Sequence, residues 1–453
     1  MKELKVLLTE EMLKKTLDFE LPTQTLYIDR SGVGDIKERE HNLIGFSRRE
    51  ESVNELVVKL ASKGFFLVSS LNGNSRFEKF TTAKEFKTNI KVDNLQIYNG
   101  LYYTLEKPLL EFASNRLIVV FSSVADRAFN ADVSIRNFFT NFGTISKYIP
   151  QNSYVLRIGD IGGIIGSFYM NTTFSNTIEE DIQGLLKSIL ESNSIAKEDV
   201  VLYGGSKGGT SALYHGVLGG YKCVAVDPIV SDTYHEESSG DSHFTKEYGG
   251  YRIYPQTKQD KFRNLMKITA IPDNINIIYS EQSPVYGAIN SIIKENDLGQ
   301  KIKYLNVCHP KIKTHPDVAA KTINILMLVM NNLFYGVGEI KSKDIDCKKV
   351  VEKRVLKIKA QLKLTNLIIE LNQKPSFLRV YSKDLKGYQD IKLSQESSKV
   401  SLFKLKGKAL SVVSSGEEYE IEIDSNKNSI LSKIVSFKEV ERENETFSYL
   451  VIN

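Results

Sequence analysis

A short glycine-rich segment surrounds one serine in a pattern that suits nucleophilic catalysis. Residues 204–209 read Gly-Gly-Ser-Lys-Gly-Gly and contain Gly-x-Ser-x-Gly, with Ser206 at its centre. An apolar run at 200–203 precedes the segment, and a helical pattern begins near Thr210. This is the strand–turn–helix context of a nucleophile elbow, and the spacing matches neither a Walker loop nor Gly-x-Gly-x-x-Gly. We therefore predict that Ser206 is a covalent nucleophile.

A serine nucleophile requires N–H donors for the negative charge that develops on the attacked carbonyl oxygen. The first expected donor is the backbone amide of Lys207, the residue after the nucleophile. The second should come from the loop after the apolar run at 117–121, where Ser122 and Ser123 stand. These three residues are the predicted oxyanion hole.

The general base is expected after the last strand of the pattern. His315 lies in Thr-His-Pro-Asp at the start of the final helical segment, and His309 follows the last apolar run almost directly. We predict His315 as the base and keep His309 as the alternative. His215 lies on the same predicted helix as Ser206 but turns to the opposite side, so a structural role is expected.

The acid that orients the base should follow a neighbouring strand. Glu281 stands just after the run at 275–279 and is the predicted acid. Asp227 and Asp232, which follow the preceding run, remain alternatives. Asp227 precedes Pro228 and could also simply close its strand.

The elements that would position these residues alternate between apolar β-branched runs and helical patterns. That alternation is typical of a parallel sheet covered on both faces, so the fold class is α/β. The predicted strands are 117–121, 154–158, 200–203, 223–226, 275–279 and 302–307, and the predicted helices are 178–190, 211–218, 260–266, 284–296 and 318–333. Two longer segments, 162–175 and 231–256, are expected to cover the site. The second is polar and carries His235 and His243, which could contact substrate.

Four regions are predicted along the chain. Residues 1–108 form a mixed α/β region, and residues 109–337 form the catalytic domain. Residues 338–364 form a basic linker or helix. Residues 365–453 show short alternating runs separated by turn residues, which predicts a small antiparallel β domain that supplies no catalytic group.

Composition excludes several classes of function. The chain has 453 residues and a net charge of +5, which is too mild to indicate nucleic-acid binding. The excess of positive charge lies beyond residue 338, where a solvated face is the ordinary explanation and an anionic polymer or membrane surface the alternative. The cysteines show neither metal-site spacing nor a disulfide framework, and no signal peptide or membrane span is evident. We therefore predict a cytoplasmic protein with no metal and no resident cofactor.

Several blocks resemble one bacterial group of proteins. They are Leu-Ile-Val-Val-Phe-Ser-Ser at 117–123, Arg-Asn-Phe-Phe at 136–139, Leu-Arg-Ile-Gly-Asp at 156–160, Gly-Ser-Phe-Tyr at 166–169, and the segment from Tyr203 to Tyr214. The group includes the XcbB/CpsF-type capsular polysaccharide biosynthesis proteins and the accessory Sec system glycan O-acetyltransferase family. The resemblance covers roughly residues 110–330. It implies an α/β-hydrolase fold with a Ser–acid–His triad that acts on a capsule or surface glycan.

The expected function is serine-dependent acyl transfer, either as an O-acetyltransferase or as an esterase, with an acyl donor such as acetyl-CoA. The expected partners are a glycan or capsule precursor and proteins of the capsule or secretion machinery. One alternative is a non-catalytic partner that keeps the fold for assembly. Another is a hydrolase of small esters or lipids, which the polar segment 231–256 disfavours.

Overall fold

The structure is a computed structural model that describes most of the chain. The described residues are 1–33, 42–47, 50–80, 92–110, 114–124, 130–138, 140–173, 175–240, 243–245, 253–268, 271–297, 299 and 301–346, together with the strands named below for the C-terminal part. The chain divides into two compact units, Met1–Cys347 and Lys348–Asn453. Cys347, residues 348–355 of the predicted linker, and residues 241–242 and 246–252 of the second long segment lie outside the described part.

The first unit begins with a four-stranded mixed sheet. Its strands are β1 (Glu3–Leu7), β2 (Thr25–Asp29), β3 (Phe65–Leu71) and β4 (Asn74–Lys79), in the order β1-β2-β4-β3. The helices described in this part of the chain are α1 (Glu10–Leu13), α2 (Leu43–Phe46) and α3 (Glu51–Ser62). The apolar side of α3, which includes Val53 and Leu60, is buried in a core of its own with Leu26 and Phe77.

A nine-stranded sheet forms the centre of the same unit. Its strands are β5 (Gln96–Tyr98), β6 (Leu101–Glu106), β7 (Asn115–Phe121), β8 (Ser153–Ile158), β9 (Ile195–Gly205), β10 (Lys222–Val226), β11 (Ile275–Tyr279), β12 (Lys303–Cys308) and β13 (Lys343–Asp346). The order is β13-β12-β11-β10-β9-β7-β8-β6-β5. The strands from β7 to β13 pair in parallel, whereas β6 is antiparallel to β8 and to β5. Strand β7 lies between β9 and β8 in the sheet, and helices cover both faces. This is the α/β-hydrolase fold.

Helices connect the parallel strands. They are α4 (Val133–Asn137), α5 (Ile178–Ser192), α6 (Lys207–Gly219), α7 (Thr233–Ser239), α8 (Lys258–Ile268), α9 (Tyr286–Ala288), α10 (His315–Lys321) and α11 (Ile323–Tyr335), with a 3₁₀ turn at Ile145–Lys147 and a π and 3₁₀ extension of α9 at Ile289–Ile293 and Lys294–Asn296. Among the described residues, no single helix is long and apolar enough to cross a membrane. The pair α10 and α11 meets that test only jointly and is bent by 62°.

The central strands are apolar because both of their faces are covered. Along β7, Leu117 and Val119 belong to the core on one side of the sheet, and Ile118 and Val120 belong to the core on the other. This period of two places every second side chain in the same layer. Because these strands are parallel, the carboxyl ends of β7, β9, β10 and β12 lie along one edge of the sheet, where the polar residues of the site begin.

The described residues of the second unit form β-strands. One sheet has the order β18-β15-β14-β21, and the other has β17-β16-β19-β23-β22 with β20 paired to β19. The strands are β14 (Leu356–Lys363), β15 (Asn366–Leu371), β16 (Phe377–Tyr381), β17 (Tyr388–Lys392), β18 (Lys399–Ser401), β19 (Ala409–Ser414), β20 (Glu417–Tyr419), β21 (Ile421–Ile423), β22 (Val435–Arg442) and β23 (Glu445–Ile452). Most pairings are antiparallel, and β14 pairs with β21 in parallel.

The central sheet extends beyond the predicted catalytic region at both ends. Strands β5 and β6 precede residue 109, and β13 lies within the stretch predicted as a linker. Both additions are at the sheet edges, where one face or one side of a strand meets solvent. Strands there lose the continuous apolar run that identifies a buried strand.

Candidate active site

Ser206 lies at a strained turn between β9 and α6. Its backbone has φ 56° and ψ −122°, a region that non-glycine residues rarely occupy. Its N–H donates to the carbonyl oxygen of Val226 at 2.8 Å, which ties the turn to β10. Because the chain reverses so sharply, the hydroxyl stands clear of the sheet at the start of α6.

The glycines around Ser206 are required by close backbone approach. A Cβ at Gly204 would overlap the carbonyl group of Gly208, and a Cβ at Gly208 would overlap the carbonyl group of Phe121. Gly209 faces the carbonyl oxygen of Val226 in the same way. The pattern seen in the sequence therefore follows from three strands and one helix meeting within van der Waals distance.

His315 supplies the base position, as predicted. Its Nε2 lies 2.7 Å from the Ser206 Oγ. The residue begins α10, where Thr314 and Asp317 form a capping box that fixes the start of the helix. The side chain is mostly buried, with 11% exposed. The base and the nucleophile are thus in direct hydrogen-bond contact.

The acid that contacts the base is Asp227. Its Oδ2 lies 2.7 Å from His315 Nδ1, and its side chain is almost fully buried. Asp227 directly follows β10, has φ 44°, and donates its N–H to the carbonyl oxygen of Ile278 at 2.8 Å. A carboxylate can only accept, so Nδ1 carries the proton and Nε2 presents a lone pair to the Ser206 hydroxyl.

The prediction that Glu281 is the acid is wrong, because its carboxylate does not contact His315. The side chain is exposed, and its Oε1 accepts the hydroxyl of Tyr286 at 3.4 Å instead of facing His315. Its backbone N–H donates to Asn306 Oδ1 on β12. Glu281 follows β11, one strand further from the nucleophile than Asp227, and its carboxylate is directed toward Tyr286 and not toward His315.

His309 and Asp232 both have partners outside the triad. His309 forms a local turn, since its Nδ1 accepts the N–H of Lys311 at 3.0 Å, and it does not replace His315. Asp232 pairs with Lys258 at 2.6 Å and accepts Thr245 Oγ1 at 2.8 Å. Burial alone would raise the pKa of Asp232, but Lys258 and His243 hold it well below its usual range. Asp232 is therefore a charged anchor within the segment 231–256.

The two serines after β7 have different surroundings. The Ser122 N–H donates to the hydroxyl of Tyr169 at 3.0 Å, so this amide already has an acceptor. The Ser123 Oγ donates to the carbonyl oxygen of Gly205 at 2.8 Å, directly beside the nucleophile. The Lys207 amide is at the first position of α6, where an N–H has no acceptor within its own helix. The Lys207 amide is therefore better placed than the Ser122 amide to stabilise an oxyanion, and Ser123 is held beside the nucleophile turn by its bond to Gly205.

Ser283 is a site residue that the sequence does not reveal. Its Oγ donates to Asp227 Oδ2 at 2.7 Å, the same oxygen that faces His315. The residue is buried in the loop after β11, the loop from which the sequence predicts the acid. A serine among other turn residues gives no sign of this role, so only the three-dimensional structure identifies it.

The described part of the segment 231–256 brings two more imidazoles to the site. The ring centre of His235 on α7 is 6.1 Å from that of His315, and His243 lies 4.8 Å from His235. His215 is elsewhere, fully buried, with Nε2 2.9 Å from the carbonyl oxygen of Tyr169. Burial lowers its pKa, so a neutral ring donates there, in the structural role that the sequence predicts.

The arrangement as a whole can activate a serine hydroxyl. Asp227 fixes the tautomer of His315, His315 can accept the proton of Ser206, and the start of α6 can stabilise developing negative charge. These are the requirements of acyl transfer through a covalent intermediate. All three triad positions lie in the first unit, within residues 1–347.

The comparisons with known proteins concern the fold. No protein-family model matches the chain, and no curated protein matches it in sequence. Among solved structures, the substrate-bound serine hydrolase FphF of Staphylococcus aureus is 15% identical with a TM-score of 0.38, over 53% of this chain and 95% of that one. The capsule O-acetyltransferase of Neisseria meningitidis serogroup A is 16% identical with a TM-score of 0.39, over 54% of this chain and 99% of that one. The Gap123 glycosylation complex of Streptococcus agalactiae is 12% identical with a TM-score of 0.39, over 60% of this chain and 51% of that one.

The α/β-hydrolase fold itself follows from the strand order and from the helices on both faces of the central sheet.

Proposed function

We propose that this chain is a serine-dependent acyl-transfer enzyme that acts on a bacterial glycan. The observation that carries the proposal is the unbroken hydrogen-bond chain from Asp227 through His315 to Ser206, with 2.7 Å at each step. A protein that served only as an assembly partner would have no need of this alignment or of the strained backbone at Ser206. The geometry therefore favours the enzyme over the non-catalytic alternative.

The proposed reaction has two halves. In the first, Ser206 Oγ bonds to the acyl carbon of the donor while its proton moves to His315 Nε2, and the leaving group departs with that proton. In the second, an acceptor hydroxyl gives its proton to Nε2, its oxygen bonds to the acyl carbon, and Ser206 Oγ leaves and regains the proton. A sugar hydroxyl as acceptor gives an O-acyl glycan, and water gives hydrolysis.

Two observations support a glycan over a lipid or a small ester. The described part of the segment 231–256 brings polar groups, including His235, toward the base, which suits a hydroxyl-rich ligand better than an acyl chain. The sequence blocks resemble proteins of capsule biosynthesis and glycan O-acetylation, which is an argument by analogy. A cytoplasmic location and contacts with capsule or secretion proteins stay predictions from the sequence.

Fluorophosphonate labelling tests the chemistry. The full-length protein should be labelled on the peptide that contains Ser206, and Ser206→Ala should lose both the label and the turnover of an activated acetyl ester. The variant should keep the thermal unfolding midpoint, because the hydroxyl is only partly buried and contributes little packing. Wild-type protein that is folded and unlabelled would favour the assembly partner.

A cellular comparison tests the substrate. Cells that carry Ser206→Ala should show less acetyl on their surface polysaccharide, or less capsule, than wild-type cells. If labelling succeeds but both glycan measures are unchanged, the enzyme is a hydrolase of another ester and the glycan proposal is wrong.

A further inference from the structure

The lysine after the nucleophile has a side chain that faces away from solvent. Lys207 is 1% exposed, and its Nζ donates to Asp160 Oδ2 at 2.7 Å, with Asp160 equally buried. A buried ion pair is weak support for stability, because the loss of hydration offsets much of the attraction. The pair is therefore better explained by the geometry that it imposes on its surroundings.

Asp160 accepts hydrogen bonds from the backbone of the loop that follows β8. Its carboxylate accepts the N–H of Ser167 at 2.8 Å and the N–H of Phe168 at 3.1 Å, in addition to Lys207. Phe168 and Tyr169 both have positive φ, 57° and 55°, which side-chain-bearing residues rarely adopt in succession. The hydrogen bonds from Ser167 and Phe168 to the carboxylate hold this strained stretch in place.

Helix α6 holds the same loop from its side. The Ser211 Oγ donates to the carbonyl oxygen of Phe168 at 3.1 Å, and His215 Nε2 lies 2.9 Å from that of Tyr169. Lys207, Ser211 and His215 are spaced by four residues and therefore share one face of the helix. The helix that follows the nucleophile thus forms hydrogen bonds with the loop at three successive turns.

Tyr169 connects the loop to the other half of the oxyanion hole. Its hydroxyl donates to the carbonyl oxygen of Ile158 at 2.7 Å and accepts the N–H of Ser122 at 3.0 Å. The ring is buried against Phe121, with 4.9 Å between ring centres. The position of Tyr169 therefore fixes the backbone just before Ser123.

We infer that the Asp160–Lys207 pair and the Tyr169 hydroxyl are positioning groups for the oxyanion hole. They link the backbone at Lys207 on α6 to the backbone after β7. The distance between the oxyanion donors on these two segments is thereby held constant. The inference rests on the proposed function, since an oxyanion hole has meaning only if Ser206 is acylated. It assigns to the motif's lysine a role that acts through backbone geometry and not through contact with substrate.

Tyr169→Phe is the sharpest test because it removes a single oxygen. The Ser122 N–H loses its acceptor, and the backbone before Ser123 can shift toward another one. Loss of one oxyanion donor lowers kcat by about 10²–10³-fold, so a displaced donor should lower it by at least about tenfold. KM for an activated acetyl ester and the pH midpoint of the reaction should stay unchanged, because neither depends on this hydroxyl.

Tyr214→Phe is the matched control. Tyr214 lies on α6, is 6% exposed, and its hydroxyl donates to Glu179 Oε2 at 2.9 Å, in a network that does not reach the Ser122–Ser123 backbone. The Tyr214→Phe substitution removes a buried, hydrogen-bonded hydroxyl just as Tyr169→Phe does. We expect a similar decrease in unfolding midpoint for both variants and a kcat within about twofold of wild type for the control.

Asp160→Asn provides a second measurement. The Asn amide would place an NH₂ group opposite N–H groups that now donate to the carboxylate. Because two donors cannot form a hydrogen bond with each other, the loop is displaced. It should lower kcat as Tyr169→Phe does, and both variants should bind a boronic acid, which mimics the tetrahedral intermediate, at least about tenfold more weakly. If Asp160→Asn does not fold, Tyr169→Phe decides.

The outcomes separate this inference from the proposed function. Labelled wild type with Tyr169→Phe at near wild-type kcat and boronic acid affinity would overturn the inference and leave the proposed function intact. A kcat decrease in Tyr214→Phe as large as that in Tyr169→Phe would do the same, because the effect would then follow stability. Folded wild type that cannot be labelled would remove both.

Discussion

Replacing Asp227 by Asn should disable the base without changing the shape of the site. In the wild-type site, Asp227 Oδ2 accepts from both His315 and Ser283. Asp227 Oδ1 is buried, and no described residue donates to it. An Asn side chain can place its amide nitrogen at either position, and the choice decides the tautomer of His315.

The structure favours the orientation that harms catalysis. With NH₂ at the Oδ1 position, two donors would be buried without an acceptor among the described residues, which costs about 1–3 kcal/mol. With NH₂ at the Oδ2 position, its hydrogens can reach Ser283 Oγ and His315 Nδ1. Nδ1 then accepts, Nε2 carries the proton, and Ser206 has no base. In serine proteases the same change lowers kcat by about 10⁴-fold, which corresponds to about 5 kcal/mol of transition-state stabilisation.

The assay is steady-state hydrolysis of an activated acetyl ester by the full-length protein. Asp227→Asn should lose about 10³–10⁴-fold in kcat and keep its unfolding midpoint within a few degrees. Glu281→Gln is the control, because Glu281 is exposed and away from His315, and it should stay within about twofold of wild type. If Asp227→Asn retains more than a tenth of the activity, or if Glu281→Gln loses as much as Asp227→Asn, the triad assignment is wrong.

Two further predictions concern Ser283, which contacts the triad, and the buried His215. Ser283→Ala removes one of two donors to Asp227 Oδ2, and a net hydrogen bond of about 0.5–1.5 kcal/mol predicts a decrease in kcat of about 2–13-fold with KM unchanged. An unchanged kcat would show that Ser283 does not orient Asp227. Burial lowers the pKa of His215, so below a pH of about 6.5 the unfolded chain binds a proton that the folded chain excludes. The free energy of unfolding should therefore decrease from pH 7 to pH 5, and His215→Gln, which keeps a donor toward Tyr169, should lessen that decrease in urea titrations; equal slopes for both proteins would contradict the buried neutral ring.

The central strands can be predicted because burial on both faces leaves a strong signal. The expected strand at 275–279 matches β11 (Ile275–Tyr279), and the one at 154–158 misses β8 (Ser153–Ile158) by a single residue. The sequence predicts the final helix as one segment, whereas the structure breaks it at Thr322 into α10 and α11. The apolar period continues across the break, so hydrophobic pattern alone does not locate the bend.

The nucleophile and the base are predictable because each depends on local sequence. Ser206 requires glycines on both sides, and His315 requires a helix start, which Thr314 and Asp317 mark. The acid depends on which of the two loops after β10 and β11 turns its carboxylate toward the base. The carboxyl ends of β10 and β11 meet at the same edge, so the linear sequence does not order Asp227 and Glu281 in space.

The backbone at Asp227 accounts for the choice between them. With φ 44° the chain turns directly after β10, and its N–H stays bonded to Ile278 on β11 while the side chain reaches His315. The loop after β11 supplies no acid to the base, and its Ser283 donates instead to the Asp227 carboxylate on the neighbouring strand end. The triad is thus built across three strand ends, with Val226 and Asp227 as the junction: the carbonyl oxygen of Val226 holds the amide of Ser206, and the next residue holds the base. A shift of β10 relative to β9 would separate the acid from the nucleophile, so the triad depends on this one strand pairing staying in register.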